Sequence, residues 1–266
     1  MLNNIAQIWD HVREKNPLIH CITNIVTVND VANILLASGA SPAMVEHPEE
    51  AADFAALASG LYLNLGTITP EQVQGILAAA GSAAENSVPV VVDPVACGVL
   101  PRRADLLKEI MSTGRVNVIK GNTAEIKSLA GAESLARGVD SLESGNIDSL
   151  CLELAQEKKC VIAATGKVDT VTDGKRLAHI HNETPLFSYI TGAGCMVGSV
   201  VAACVAVNPE DQWLATISAL TAFTIAGERA AQTSVTGPGS FRVALFDQLF
   251  NLRGADLLKE AKIQWQ

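Results

Sequence analysis

With 266 residues, 48% hydrophobic and 18% charged, the chain carries enough apolar material for a large core, which excludes broad disorder. A net charge of −9 leaves no basic footprint for nucleic acid, so an anionic ligand needs lysine, arginine, backbone N–H groups or a metal nearby. An uncharged run from Ile190 to Val207 holds Gly192, Gly194, Gly198, Thr191 and Ser199 and reads as a core helix, not a membrane span.

Leu2 to Lys15 reads as a helix and Leu18 to Thr23 as a short strand. Asn29 to Ser38 is a helix stopped by Gly39, Ala43 to Val45 a brief apolar piece, and Glu49 to Ser59 a helix stopped by Gly60. Leu61 to Leu65 is a strand, followed by the helix Pro70 to Asn86 with proline in its first turn. Then come strand Val88–Val92, helix Arg103–Met111, strand Val116–Lys120 and helix Thr123–Ala130. Residues 131–146 form a polar connection, ahead of helix Ile147–Lys158 and strand Cys160–Thr165. Thr170–Thr172 and Arg176–His181 make a hairpin around Asp173-Gly174, and long helices follow over Gly194–Val207, Gln212–Gln232 and Phe241–Leu252. Short apolar strands between helices predict a mainly parallel sheet covered on both faces, with an antiparallel edge at the hairpin. No internal repeat divides the chain, and 1–266 reads as a single domain.

The six cysteines form no C-x-x-C pair, and the first fifteen residues carry Asp10, Arg13 and Glu14 in place of an apolar signal core. Free thiols in a reducing cytoplasm are expected. His179 and His181 share a strand face with no third ligand near in sequence, which favours an edge-strand pair over zinc. The P-loop pattern is absent, and the dinucleotide pattern fails because Gly198 falls one residue late.

Thr191-Gly192-Ala193-Gly194-Cys195 stands directly before the apolar helix. The unpaired N–H groups of a helix start attract anions, and a thiol placed there feels the positive end of the helix dipole. That combination suggests phosphoryl transfer; the same five residues also fit a glycine turn ahead of a core helix. Asp93, at the end of a buried strand, suits Mg²⁺ or a turn before Pro94. Lys120 supplies a cation at the neighbouring strand end. Asn122 and Glu125 have the spacing of a capping box, and Glu125 would share the sheet edge with Asp93. Thr165 offers a hydroxyl to phosphate. Asn24, Asn29, Met44 and the strand end Asn64-Leu65-Gly66-Thr67 suit a small substrate pocket, although methionine is more often core.

Together, His20-Cys21-Ile22-Thr23-Asn24, Val28-Asn29-Asp30, Gly39-Ala40-Ser41-Pro42-Ala43-Met44, Asn64-Leu65-Gly66-Thr67, Val92-Asp93-Pro94-Val95, Gly121-Asn122-Thr123-Ala124-Glu125 and the Thr191–Cys195 stretch resemble, in that order, the hydroxyethylthiazole kinase family of the ribokinase-like superfamily. The resemblance runs from His20 to about Phe241. It implies a three-layer α/β/α fold and transfer of the ATP γ-phosphate to the primary hydroxyl of 4-methyl-5-(2-hydroxyethyl)thiazole, with Mg²⁺. It implies thiazole contacts from Met44 and Gly192, with Asn24 and Gly66 in the pocket. Nucleotide contacts fall to Lys120, Thr165 and Asn122, the magnesium side to Asp93 and Glu125, and the anion hole to Gly192, Ala193, Gly194 and Cys195. It also implies a homotrimer with sites at subunit interfaces. The family usually has arginine at position 120; lysine keeps the charge and loses the planar fork. Many sugar kinases of the superfamily place aspartate where this chain has Cys195, so the thiol points to the thiazole branch over the sugar and hydroxymethylpyrimidine branches. Rival readings are a covalent thiol enzyme pairing Cys195 with His20 or His181, and a nucleotide-binding regulator without catalysis.

Overall fold

The computed structural model describes residues 1–137, 147–233 and 235–266. Its elements in chain order are α1 (Leu2–Lys15), β1 (Leu18–Ile22), α2 (Val28–Ser38), β2 (Ser41–Ala43), α3 (Pro48–Leu57), β3 (Gly60–Asn64), α4 (Pro70–Glu85), β4 (Val90–Asp93), α5 (Pro101–Thr113), β5 (Val118–Asn122) and α6 (Thr123–Arg137). They continue as α7 (Ile147–Lys158), β6 (Val161–Thr165), β7 (Asp169–Thr172), β8 (Leu177–Ile180), a 3₁₀ turn at Pro185–Tyr189, α8 (Ala193–Val207), α9 (Gln212–Ala231), α10 (Pro238–Asn251), α11 (Gly254–Glu260) and β9 (Ile263–Trp265).

The strands form one sheet in the order β2-β1-β3-β4-β5-β6-β7-β8-β9. Pairing is parallel from β2 through β6, and β7, β8 and β9 add antiparallel strands at one edge. Alternate strand residues feed two cores. Leu61, Leu63, Val92 and Ile119 pack with α4 and α5 on one face, and Tyr62, Val91 and Val118 pack with α1, α8 and α9 on the other. This is the expected three-layer α/β/α arrangement. Helix α8 is buried along nearly its whole length, as an all-apolar stretch demands, and each fully buried valine there is worth about 1.5–3 kcal/mol. Among the described residues no helix is long and apolar enough to cross a membrane.

Several boundaries differ from expectation. The brief edge strand is Ser41–Ala43, not Ala43–Val45, because its register is set by pairing with Leu18–His20. Strand β5 starts two residues later than expected and runs on to Asn122, where it meets Thr165 of β6. Of the connection expected at 131–146, residues up to Arg137 continue α6, and the remainder lies outside the described residues. The 3₁₀ turn, α11 and β9 had no expectation. Each is too short to show a period, and β9 is held by tertiary contact, with Trp265 edge-on to Trp213.

Candidate active site

Parallel register brings the strand ends to one edge. Asn64 pairs with Asp93, and Asn122 with Thr165, so the polar residues that finish β3, β4, β5 and β6 stand side by side. Side-chain alternation then sorts them. Tyr62 and Asn64 lie on the α8 face of the sheet, as Asp93 and Lys120 do on their own strands, each two residues on from a residue of that core. A cavity of about 630 Å³ opens there, with Gly192, Ala193, Gly194 and Cys195 on one wall and Asp93, Lys120, Asn122, Glu125 and Thr165 across from them. Phe187, Leu220 and Phe223 supply an apolar wall.

The start of α8 is built by Gly192. Its φ of 82° lies in the left-handed region, and a Cβ there would come within 2.5 Å of the Thr27 side chain. The carbonyl of Gly192 takes the N–H of Met196 at 2.8 Å, and no side chain caps the helix. The first-turn amides therefore face the cavity as an anion-binding helix start. Farther along, a Cβ on Gly198 would meet the Tyr62 ring at 2.7 Å, so glycine is what lets α8 close onto β3.

Cys195 is half-buried, whereas the other five cysteines are buried. Its sulfur receives N–H groups from Asn24 at 3.3 Å and Asn64 at 3.2 Å. The imidazoles lie elsewhere. Nε2 of His20 is 2.6 Å from the Val45 carbonyl, and the His181 ring lies against that of His179, centroids 6.4 Å apart, where His179 pairs with Asp148 at 2.9 Å. Among the described residues no histidine hydrogen-bonds the thiol, which removes the basis for a cysteine–histidine nucleophile.

Asp93 and Lys120 form a buried ion pair at 3.0 Å, and Lys120 also donates to the Gly194 carbonyl at 3.0 Å. Burial raises the Asp93 carboxyl above its usual range, against the pull of Lys120. Burial also penalises the Lys120 ammonium, but Asp93 outweighs that penalty and keeps it charged. Tyr62 donates to Asp93 at 3.4 Å, and burial, followed by the charge of Asp93, holds its hydroxyl well above the ordinary phenol range.

Glu125 realises the capping box. Its N–H donates to the Asn122 side chain at 2.9 Å, and its carboxylate accepts from the Asn122 N–H at 2.8 Å and from the Ala96 N–H at 2.9 Å. The Thr165 hydroxyl donates to the Gly121 carbonyl at 3.3 Å, tying β6 to β5. Asp169 accepts the Gly166 N–H at 2.9 Å, and burial pushes its carboxyl up to about 7.

Not every predicted residue reaches the cavity. Asn24 and Gly66 stand behind the thiol: the Gly66 N–H donates to Asn64, which Asn24 also contacts. Met44 is half-buried against the core beyond the cavity lining. Conversely, the cavity residues Asp169, Asn182, Phe187 and Phe223, and Tyr62 buried behind them, were not singled out from sequence. Tyr62 alone carried a signal, as a polar ring inside an otherwise apolar strand.

Among the described residues no three histidine, cysteine, aspartate or glutamate side chains cluster as a metal cage. Two carboxylates on one cavity do fit Mg²⁺, which keeps most of its waters and takes few protein oxygens beside phosphates.

In fold the chain is similar to a ribokinase-like superfamily protein from Enterococcus faecalis, which superposes with a TM-score of 0.64 over 89% of this chain and 87% of that one, at 11% identity. The Hydroxyethylthiazole kinase family matches residues 9–254. A hydroxyethylthiazole kinase from Syntrophomonas wolfei is 57% identical over the whole of both chains. The structure of a hydroxyethylthiazole kinase protein from Pyrococcus horikoshii superposes with a TM-score of 0.90 at 37% identity, covering 99% of each chain. The chain belongs to the hydroxyethylthiazole kinase family and is an enzyme.

Proposed function

We propose that the chain, acting as one kinase domain over residues 1–266, transfers the γ-phosphoryl group of ATP to the primary hydroxyl of 4-methyl-5-(2-hydroxyethyl)thiazole. The observation that carries this reading is one cavity with the α8 amides and Cys195 on one wall and Asp93 and Lys120 opposite. Phosphoryl transfer asks a protein for alignment and charge stabilisation, and these residues divide that work.

The amides of Ala193, Gly194 and Cys195 take the charge of the transferring group, with Gly192 giving them room. Lys120, Thr165 and Asn122 hold the nucleotide, and the apolar wall of Phe187 and Phe223 suits its base. Asp93 and Glu125 would hold Mg²⁺, which when bound offsets phosphate charge in an acidic protein. The alcohol oxygen forms its bond to the γ-phosphorus as the bond to the β-bridging oxygen breaks and ADP leaves. The alcohol proton passes late to the Cys195 sulfur, which must stand in its thiolate form to accept it. Met44, Gly192, Asn24 and Gly66 shape the thiazole side. Met44 lies outside the cavity, so it serves the substrate where a neighbouring copy completes the pocket; exposed Ile25 and Val26, next to Asn24, support a self-associating, trimeric assembly. A reducing cytoplasm suits the free Cys195 thiol.

Release of ADP, coupled to a reporter enzyme, tests the reading with the thiazole alcohol against hydroxymethylpyrimidine and ribose. Release is expected with the thiazole alcohol and not with the controls. In Cys195→Ala, kcat is expected to fall roughly 10²-fold with ATP still bound, while Cys195→Asp stays active because a carboxylate accepts the same proton. Full-speed turnover by Cys195→Ala would reduce the thiol to packing.

A further inference from the structure

The thiol sits at the end of a buried hydrogen-bonded line whose proton directions a single backbone group determines. The Gly66 N–H can only donate, and it lies 3.0 Å from Oδ1 of Asn64. The oxygen end of that amide therefore faces Gly66. Its NH₂ end must face the Tyr62 hydroxyl at 3.0 Å and the Cys195 sulfur at 3.2 Å. Asn24 meets the same Asn64 oxygen at 2.9 Å, so it too presents NH₂ there, and its second hydrogen reaches the sulfur at 3.3 Å.

All four amide hydrogens are thereby committed, two of them to Sγ. The Tyr62 oxygen accepts from Asn64, which turns its own hydrogen toward Asp93. Lys120 joins Asp93 to the Gly194 carbonyl, one residue before Cys195, and closes the ring. Asn24, Tyr62 and Asn64 are 5%, 0% and 1% exposed, so water does not compete for these bonds.

We propose that Asn24 and Asn64 are positioning residues for Cys195. Their paired N–H groups fix the sulfur in one orientation and stabilise charge on it, while Tyr62 ties that orientation to Asp93 across the cavity. The inference rests on the reading of Cys195 as proton acceptor. It goes beyond that reading by naming what makes the thiol fit for the task. The remaining face of the sulfur is the one that lines the cavity.

Asn64→Asp is the decisive variant, because it is isosteric and keeps an acceptor for the Gly66 N–H and the Asn24 amide. It replaces the donor aimed at the sulfur with an oxygen. Expected are a kcat roughly ten- to a hundredfold lower, the loss of a hydrogen bond to a charged group, and a KM for ATP within about twofold. Iodoacetamide alkylation of Cys195, measured without substrates and blanked against Cys195→Ala, is expected to slow by a similar factor. In the Cys195→Ala background, Asn64→Asp is expected to cost no further kcat. Unchanged alkylation, or losses that multiply in the double variant, would overturn the proposal. Asn24→Asp repeats the test should circular dichroism show Asn64→Asp unfolded. Because alkylation needs no turnover, the proposal is judged separately from the proton-acceptor reading, which fails if Cys195→Ala is fully active.

Discussion

The two walls of the cavity are held by different kinds of bond. On the β5–β7 side two carboxylates are held in part by bonds close by in sequence: Glu125 with Asn122, and Asp169 with Gly166, each across three residues. On the α8 side they are satisfied across the fold: Asn24 reaches Asn64 across 40 residues, Asn64 reaches Cys195 across 131, and Lys120 reaches Gly194 across 74. Local bonds form with their turn or helix. Long-range bonds exist only when the sheet and α8 have docked, so the α8 wall exists as a site only in the folded molecule, whereas the turns that carry Glu125 and Asp169 are local and are joined to neighbouring strands by contacts such as Ala96 with Glu125 and Thr165 with Gly121.

Breaking the buried ion pair between Lys120 and Asp93 should have the largest effect. Lys120→Met leaves the buried Asp93 carboxylate without its cation, and a loss of roughly 3–5 kcal/mol of stability with loss of turnover is expected. Adding Asp93→Asn removes the stranded charge, so the double variant should regain most of the stability in urea unfolding and none of the activity. If Lys120→Met alone were as stable as the parent, the ion pair would not hold the two elements together.

The same division explains what the chain disclosed as a sequence. Periodicity gave nearly every long element, since alternation and helical spacing are local. The capping box at Asn122 and Glu125, and the glycine start of α8, were likewise legible at short range. The partners of Cys195 were not, because nothing in the spacing of Asn24, Tyr62 and Asn64 announces that the sheet aligns them behind one thiol. The family resemblance put Asn24 and Gly66 in a substrate pocket, and the structure adds that Asn24 and Asn64 donate to the sulfur while the Gly66 N–H donates to Asn64. Met44 shows the converse: its family role is visible in sequence, but its place beyond the cavity depends on the edge strand.

A second perturbation probes the local wall through pH. Burial raises Asp169 to about 7, above an unfolded value near 4, so the folded protein binds this proton more tightly than the unfolded chain. Its contribution to stability is therefore present at low pH and is lost as pH rises from about 4 through 7. Asp169→Asn keeps an oxygen for the Gly166 N–H and cannot ionise. It should be more stable than the parent at pH 8, by up to about 4 kcal/mol less what the weaker bond to Gly166 gives back. The gap should shrink toward pH 4. A gap that is flat across this range would mean that Asp169 is not buried as a carboxylate.

The smallest expected effect distinguishes the two carboxylates of the site. Both line the cavity, but Asp93 is paired with a cation across the fold, whereas both Glu125 oxygens are taken by backbone N–H groups of Ala96 and Asn122. Glutamine is accepted at this position of a capping box yet has one oxygen where glutamate has two. Glu125→Gln should therefore cost about 1 kcal/mol, a fall in Tm of roughly 2–4 °C, with the helix start intact. If Glu125 also faces magnesium, the loss of its charge should raise the magnesium concentration needed for half-maximal turnover several-fold at saturating ATP, while kcat at high magnesium recovers. A thermal shift without any change in magnesium dependence would assign Glu125 to the cap alone and leave Asp93 as the only carboxylate of the pair with a chemical role.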